Sequence, residues 1–276
     1  MQGETMVAST AVVSANGISV PPAANQDVPV GRKIVVEGVW KSFAGDSDGA
    51  LQVLGGIDLA VDGGKTVALV GPSGCGKSTL MRILAGFDRP NGGTIRIDGQ
   101  LQHGPSANGI LISQQGSVFP WLTVRQNLMF GLSKGTDAEK AKLADRYAAL
   151  VGLKGFEPSY PHELSGGMLK RVEIARALVV KPEILYMDEP FSALDALTSL
   201  KIRLELLRIL EKERHTVVLI THDIEEAIHL ADRILVLSPR PTTIQATFEV
   251  PFPHPRKLSS SQAQALRDSI LRELGL

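Results

Sequence analysis

Thr66-Val67-Ala68-Leu69-Val70 runs directly into Gly71-Pro72-Ser73-Gly74-Cys75-Gly76-Lys77-Ser78-Thr79, and the residues from Lys77 to Ala85 read as a helix. A short, uninterrupted apolar run of this kind is a strand buried on both faces, as in a parallel sheet. A buried strand that turns through a glycine loop into a helix commits the chain to an α/β core. Gly71, Gly74 and Gly76 permit backbone conformations and close approaches that a side chain would obstruct. The loop's N–H groups then converge at a helix N-terminus, where the dipole favours phosphate. Lys77 is placed to reach the β- and γ-phosphates, and the Ser78 hydroxyl to ligate Mg²⁺. Pro72, Ser73, Cys75 and Thr79 complete the loop; Cys75 is read as a small filler whose backbone does the binding.

Strand and helix patterns alternate through the rest of the chain. Residues 34–39 and 56–61 read as strands separated by a Gly/Asp/Ser loop over 44–50, and Thr94-Ile95-Arg96-Ile97-Asp98 alternates like a half-exposed antiparallel strand. Residues 122–164 turn helical, with 138–153 rich in Ala, Lys and Leu. Strands over 184–187, 216–220 and 234–237 alternate with helices over 197–214 and 224–231. The prolines at 239, 241, 251, 253 and 255 break that pattern. An amphipathic helix ends the chain, with Ala263, Leu266, Ile270 and Leu274 on one face. The expected fold is a mostly parallel α/β core with an antiparallel strand region and a helical insertion.

Two further segments carry chemistry. Asp188 and Glu189 end the apolar run Ile184 to Met187. Two carboxylates at the end of a buried strand point to a cation or a reacting water: Asp188 to hold Mg²⁺ through water, Glu189 to orient or deprotonate the attacking water. The plainer alternative is a helix cap after a strand. Leu164-Ser165-Gly166-Gly167-Met168 lacks a following Lys-Ser, so it is no second phosphate loop. Ser165 reads as an N-cap for a helix over 168–178, and the glycines expose N–H groups suited to a γ-phosphate. An ordinary capped helix reads the same way by itself.

Bulk properties narrow the partners. Lys and Arg total 29, Asp and Glu 29, leaving no basic surplus for a nucleic-acid backbone. The single cysteine, Cys75, excludes an internal disulfide and fits a reducing compartment. No apolar run approaches the ~18–20 residues that span a bilayer. Residues 1–32, rich in Ala, Ser, Val, Pro and Asn, read as a disordered leader and not as a signal peptide.

With these motifs in hand, the chain resembles the nucleotide-binding subunit of ATP-binding cassette transporters, over residues 33–255. Gly71 to Thr79 matches its Walker A motif, Leu164 to Met168 its signature, and Ile184 to Glu189 its Walker B with the catalytic glutamate. Ser192-Ala193-Leu194-Asp195 matches the D-loop, and Thr221-His222-Asp223 the switch histidine. Gln114 stands at the Q-loop position and Phe43 at the aromatic that stacks on adenine. The resemblance implies a P-loop NTPase core with an antiparallel β subdomain and a helical signature subdomain over about 122–178. It implies a cassette domain over 33–256 and an amphipathic helical tail over 257–276. It further implies a head-to-tail homodimer in which Lys77 of one copy and Ser165, Gly166, Gly167 and Asp195 of the other serve one ATP. Gln114 would sense Mg²⁺ and the γ-phosphate, and His222 would contact the γ-phosphate and help arrange the water. Two departures stand out: Leu169-Lys170-Arg171 replaces the usual Arg-Gln-Arg, and Ser113 precedes Gln114 where a Phe is common.

Only residues 78–164 separate Lys77 from Ser165, too few for the long coiled coil of the repair and chromosome branches. Ribosome-acting members generally carry two cassettes; this chain has one. Pro120-Trp121, Tyr160-Pro161-His162-Glu163 and the tail from Phe248 to Arg256 are similar to the nitrate, sulfonate and taurine importer group. The resemblance therefore implies an ATPase docked peripherally on a permease at the cytoplasmic face of the plasma membrane, fed indirectly by a substrate-binding protein. The alternative is a soluble mechano-regulatory ATPase acting on protein or nucleic acid.

Overall fold

The computed structural model describes residues 31–44, 49–114 and 116–276. The leader over 1–30, part of the 44–50 loop and Gln115 lie outside the described residues. Residues 31 and 32 of the expected leader do have defined contacts: the Gly31 N–H donates to the Arg214 carbonyl, and Arg32 pairs with Glu183.

Two sheets organise the chain. One is antiparallel, built from β1 (Ile34–Ala44), β2 (Ala50–Val61), β4 (Gly92–Ile97) and β5 (Gln100–Leu101) in the order β2-β1-β4-β5. The other runs β10-β9-β3-β8-β7-β6, from β3 (Thr66–Val70), β6 (Gly109–Ile112), β7 (Ile184–Asp188), β8 (Thr216–Ile220), β9 (Arg233–Leu237) and β10 (Ile244–Glu249). It is parallel except for β10, which pairs antiparallel with β9. The helices are α1 (Lys77–Leu84), α2 (Val124–Met129), α3 (Asp137–Leu150), α4 (Gly166–Val179), α5 (Ala196–Glu213), α6 (Ile224–Leu230) and α7 (Ser261–Glu273). Among the described residues no helix is long and apolar enough to cross a membrane.

The period-two alternation of the strands sorts the core into two layers. Val67 and Leu69 of β3 face α1 and the antiparallel sheet, joining Ile34, Ile57 and Leu80. Ala68 and Val70 face the other way, towards residues of α2, α4, α5 and α6. Every residue of β3, β7 and β8 is buried, which is why these strands read as continuous apolar runs. Thr242 ties the two sheets together: its N–H donates to the Val53 carbonyl, and its own carbonyl accepts from the Gly55 N–H. α2 and α3 are joined by a two-pronged Arg125–Asp145 pair at 2.7 and 3.1 Å.

Three details differ from the sequence expectation. β10 lies between Pro241 and Pro251, inside the proline-rich stretch; its side chains alternate half-buried and exposed, as an edge strand's do. β6, short and at the opposite edge, was not expected as a strand. β1 continues past Val39 to Ala44 through register shifts, carrying Phe43 opposite Leu51 of β2.

Candidate active site

The loop from Gly71 to Gly76 leaves β3 at the C-terminal edge of the parallel sheet, the general location of ligand crevices in such folds. Gly76 caps α1 with φ +119°, and a Cβ there would come 2.7 Å from Val53 Cγ1, so only glycine fits. Lys77 is 8 % exposed, and its ammonium donates to the Gly71 and Pro72 carbonyls, both at 2.9 Å. Two of its three donors are thus engaged by its own loop, which fixes the side chain across it.

A cleft of about 710 Å³ opens over this loop. Gly71, Ser73, Gly74, Gly76, Lys77, Ser78 and Thr79 line its floor; Phe43, Gln114, Glu189 and His222 line its walls. Seven residues of one loop therefore meet four residues scattered over the sequence. Pro72 and Cys75 do not line the cleft: the Cys75 side chain is buried in the layer with Leu54 and Leu80, and its N–H donates to the Pro72 carbonyl at 3.3 Å. Phe43 presents an exposed ring with the Lys41 ammonium 5.2 Å from its centroid.

Glu189 sits at the junction of the walls. Its backbone has φ +50°, and its N–H donates to the Ile220 carbonyl at 3.0 Å, which bends the chain sharply off β7. The Gln114 amide donates to Glu189 Oε2 at 3.3 Å, and His222 Nδ1 lies 3.5 Å from the same oxygen. Asp188, one residue earlier, is 6 % exposed. Burial pushes its carboxyl above the ordinary carboxylate range; a hydrogen bond from Ser78 opposes that, and the neighbouring Glu189 charge adds to it. An acid disfavoured as a bare anion, bonded to the Ser78 hydroxyl, is a donor set that a divalent cation would complete.

The signature residues stand elsewhere. Ser165 caps α4, its Oγ accepting from the Met168 N–H at 3.3 Å. A Cβ on Gly167 would meet the Ala193 carbonyl at 3.3 Å, so the signature packs beside the D-loop. Asp195 caps α5 by accepting from the Thr198 N–H at 3.0 Å; the Thr198 hydroxyl first, and then that N–H, hold its carboxyl below the usual range. None of Ser165, Gly166, Gly167 and Asp195 lines the cleft over Lys77. Three cleft residues escaped the sequence reading: Leu51, Val53 and Arg240. Arg240, in the β9–β10 turn, donates through Nε to the Gly74 carbonyl at 2.5 Å. No local motif announces them, because they reach the loop only through tertiary packing.

Residues 54–192 match the family model described as ABC transporter. An uncharacterised ABC transporter ATP-binding protein of Methanocaldococcus jannaschii is 42% identical over 244 residues, covering 88% of this chain and 91% of that one. An aliphatic sulfonates import ATP-binding protein of Bacillus cereus is 44% identical over 225 residues, covering 82% and 89%. Among solved structures, a dimeric ATP-binding cassette in a post-hydrolysis state with ADP and Pi superposes with a TM-score of 0.72 at 28% identity, covering 80% of this chain and all of that one.

Proposed function

The chain belongs to the ABC transporter family and is an ATP-binding, ATP-hydrolysing cassette, and from that premise we propose that it powers an importer as a head-to-tail homodimer docked on a membrane permease. The observation that carries the dimer is the division of the site. Lys77, Ser78, Gln114, Glu189 and His222 share one cleft, while Ser165, Gly166 and Gly167, a second set of phosphate-ready N–H groups, lie outside it. A second copy supplies the missing half, with Asp195 beside the junction. That the similar solved cassette is dimeric supports the pairing of two copies.

Within the closed site, Phe43 stacks on the base and the loop from Gly71 to Thr79 holds the phosphates. Ser78, Asp188 and Gln114 are the groups that would hold Mg²⁺, which when bound neutralises charge on the phosphates. Glu189 accepts a proton from the attacking water as its oxygen bonds to the γ-phosphorus. The bond to the ADP oxygen breaks, and phosphate leaves. His222 and Gln114 orient Glu189 Oε2 and the water, as their contacts with that oxygen suggest.

Docking on a permease is supported by an exposed aromatic group: Trp121 is 70% and Phe130 66% exposed, and both rings pack on Phe119. Exposed aromatics of this size mark an interaction surface. The Bacillus cereus relative is named for import of aliphatic sulfonates; the corresponding cargo here is nitrate, sulfonate, taurine or a related small solute. The protein then sits peripherally on the cytoplasmic face of the plasma membrane, and a binding protein delivers solute to the permease. Pull-down from membranes tests the reading: a multispanning permease should co-purify and stimulate hydrolysis in lipid. Stimulation by DNA, RNA or ribosomes, with none by a permease, would replace it with the mechano-regulatory alternative.

A further inference from the structure

Lys170 and Glu173 are among the most buried charged residues described, 6% and 3% exposed, and no step of hydrolysis uses them. Both lie on α4, the helix that Ser165 caps. Their side chains meet at 3.2 Å, and neither spends its remaining capacity on its own helix. Lys170 Nζ donates to the Ser113 carbonyl at 2.7 Å, immediately before Gln114. Glu173 Oε1 accepts from the Ser117 N–H, just after it. One turn further along, Arg176 donates to the Ser117 hydroxyl at 2.7 Å and lies over the Phe119 ring, its centroid 4.8 Å away.

Two opposite charges, removed from water, thus grip one backbone on either side of Gln114. Burying such a pair is costly, and apolar residues of the same volume would stabilise the fold as well or better. What the pair adds is geometry: a carbonyl before Gln114 and an N–H after it, each held by a charge-assisted bond.

We infer that Lys170 and Glu173 are positioning residues that clamp Gln114 to the signature helix, so that its amide is held on Glu189 as the helix is placed by the partner copy. This rests on the role given to Gln114. Through Ser117 and Arg176 the same clamp is continuous with the aromatic group at Phe119, Trp121 and Phe130.

The test uses the full chain and two double variants. Lys170→Met with Glu173→Leu removes both charges and both grips while filling the space. Its turnover should fall by about ten- to a hundredfold with the KM for ATP unchanged, the effect of misplacing a group without removing it. Lys170→Gln with Glu173→Gln keeps a donor for Ser113 and an acceptor for Ser117, and should recover most of the turnover. Hydrogen exchange at the Ser117 amide should quicken in the first variant and stay near wild type in the second. Wild-type turnover and exchange in the apolar pair would overturn the clamp, as would a Gln–Gln pair equally slow with exchange equally fast. Should the apolar pair not fold, a Gln–Gln pair with fast Ser117 exchange overturns the clamp, and one with protected exchange and near-wild-type turnover supports it. Gln114→Ala is run in parallel. If it hydrolyses ATP at the wild-type rate, the reading of Gln114 fails, and Ser117 exchange alone judges the clamp.

Discussion

Glu189 occupies a backbone conformation that side-chain-bearing residues avoid, at a cost on the order of 1–2 kcal/mol. The bend aims its carboxylate into the cleft instead of along β7, where Asp188 ends the strand. Glu189→Gln keeps the shape and the contact with Gln114 but removes the proton acceptor. Its hydrolysis rate should drop by about 10²–10⁴-fold, while equilibrium binding of ATP stays near wild type. A fluorescent-nucleotide titration beside a phosphate-release assay separates the two, and wild-type phosphate release would remove Glu189 from its role. A second carboxyl, Glu226 on α6, shows the same physics without the chemistry. It is 5% exposed and its Oε1 has no hydrogen-bond partner. Burial pushes its pKa up to about 8 from 4.5, against the opposing pull of Arg203. Between those values the folded chain keeps a proton that the unfolded chain has released. Stability therefore falls as pH rises through that window and levels off above it. Glu226→Gln removes this dependence. The melting temperature of the variant should exceed that of wild type by a margin that is small near pH 5 and grows to several degrees by about pH 8. A constant margin would mean that Glu226 is ionised in the folded protein.

At the scale of elements, the terminus of α4 that Ser165 caps is also the one proposed to meet a phosphate. Its Ser165 cap, at 3.3 Å, is a long hydrogen bond, and losing such a cap costs about 0.5–1 kcal/mol. Ser165→Ala should thus lower the melting temperature by a few degrees at most. If Ser165 also meets the γ-phosphate of a partner's ATP, turnover should fall far more than that stability change accounts for. Proportionate small losses in both would leave α4 an ordinary capped helix. The sequence could not separate these roles, and the reason is general to this molecule. Strands buried on both faces, β3 and β8, were legible to the residue, because burial leaves an unbroken apolar run. Half-buried edge elements were not: β10 alternates between flanking prolines, and the outer part of β1 advances through bulges. The glycine loop and the carboxylates at the end of β7 announced themselves through local spacing. Arg240, Leu51 and Val53 did not, since the Thr242 tether between the sheets is what brings them over the loop. Nor could spacing reveal that Lys170 reaches the Ser113 carbonyl, which needs the distance between α4 and the end of β6.

At the scale of the whole molecule, the separation of Lys77 from Ser165 becomes a statement about symmetry. A two-fold dimer presents the same surface twice, so in the proposed dimer a loop and a signature that stand apart within one chain would meet twice between two. This has a consequence that no single-chain site would share. Lys77→Ala disables every composite site in its own homodimer, and so does Ser165→Arg. In a mixed dimer the defects sort unequally. The copy carrying Ser165→Arg still offers an intact Lys77, and the copy carrying Lys77→Ala still offers an intact Ser165. These two combine in one wild-type site, while both lesions fall together in the other. Mixing the two inactive proteins in equal amounts before closing the dimer should therefore restore about a quarter of the wild-type turnover: half the dimers are mixed, and each has one good site of two. Two proteins that stay inactive when mixed, while each binds nucleotide and dimerises, would show that Lys77 and Ser165 do not act on the same ATP.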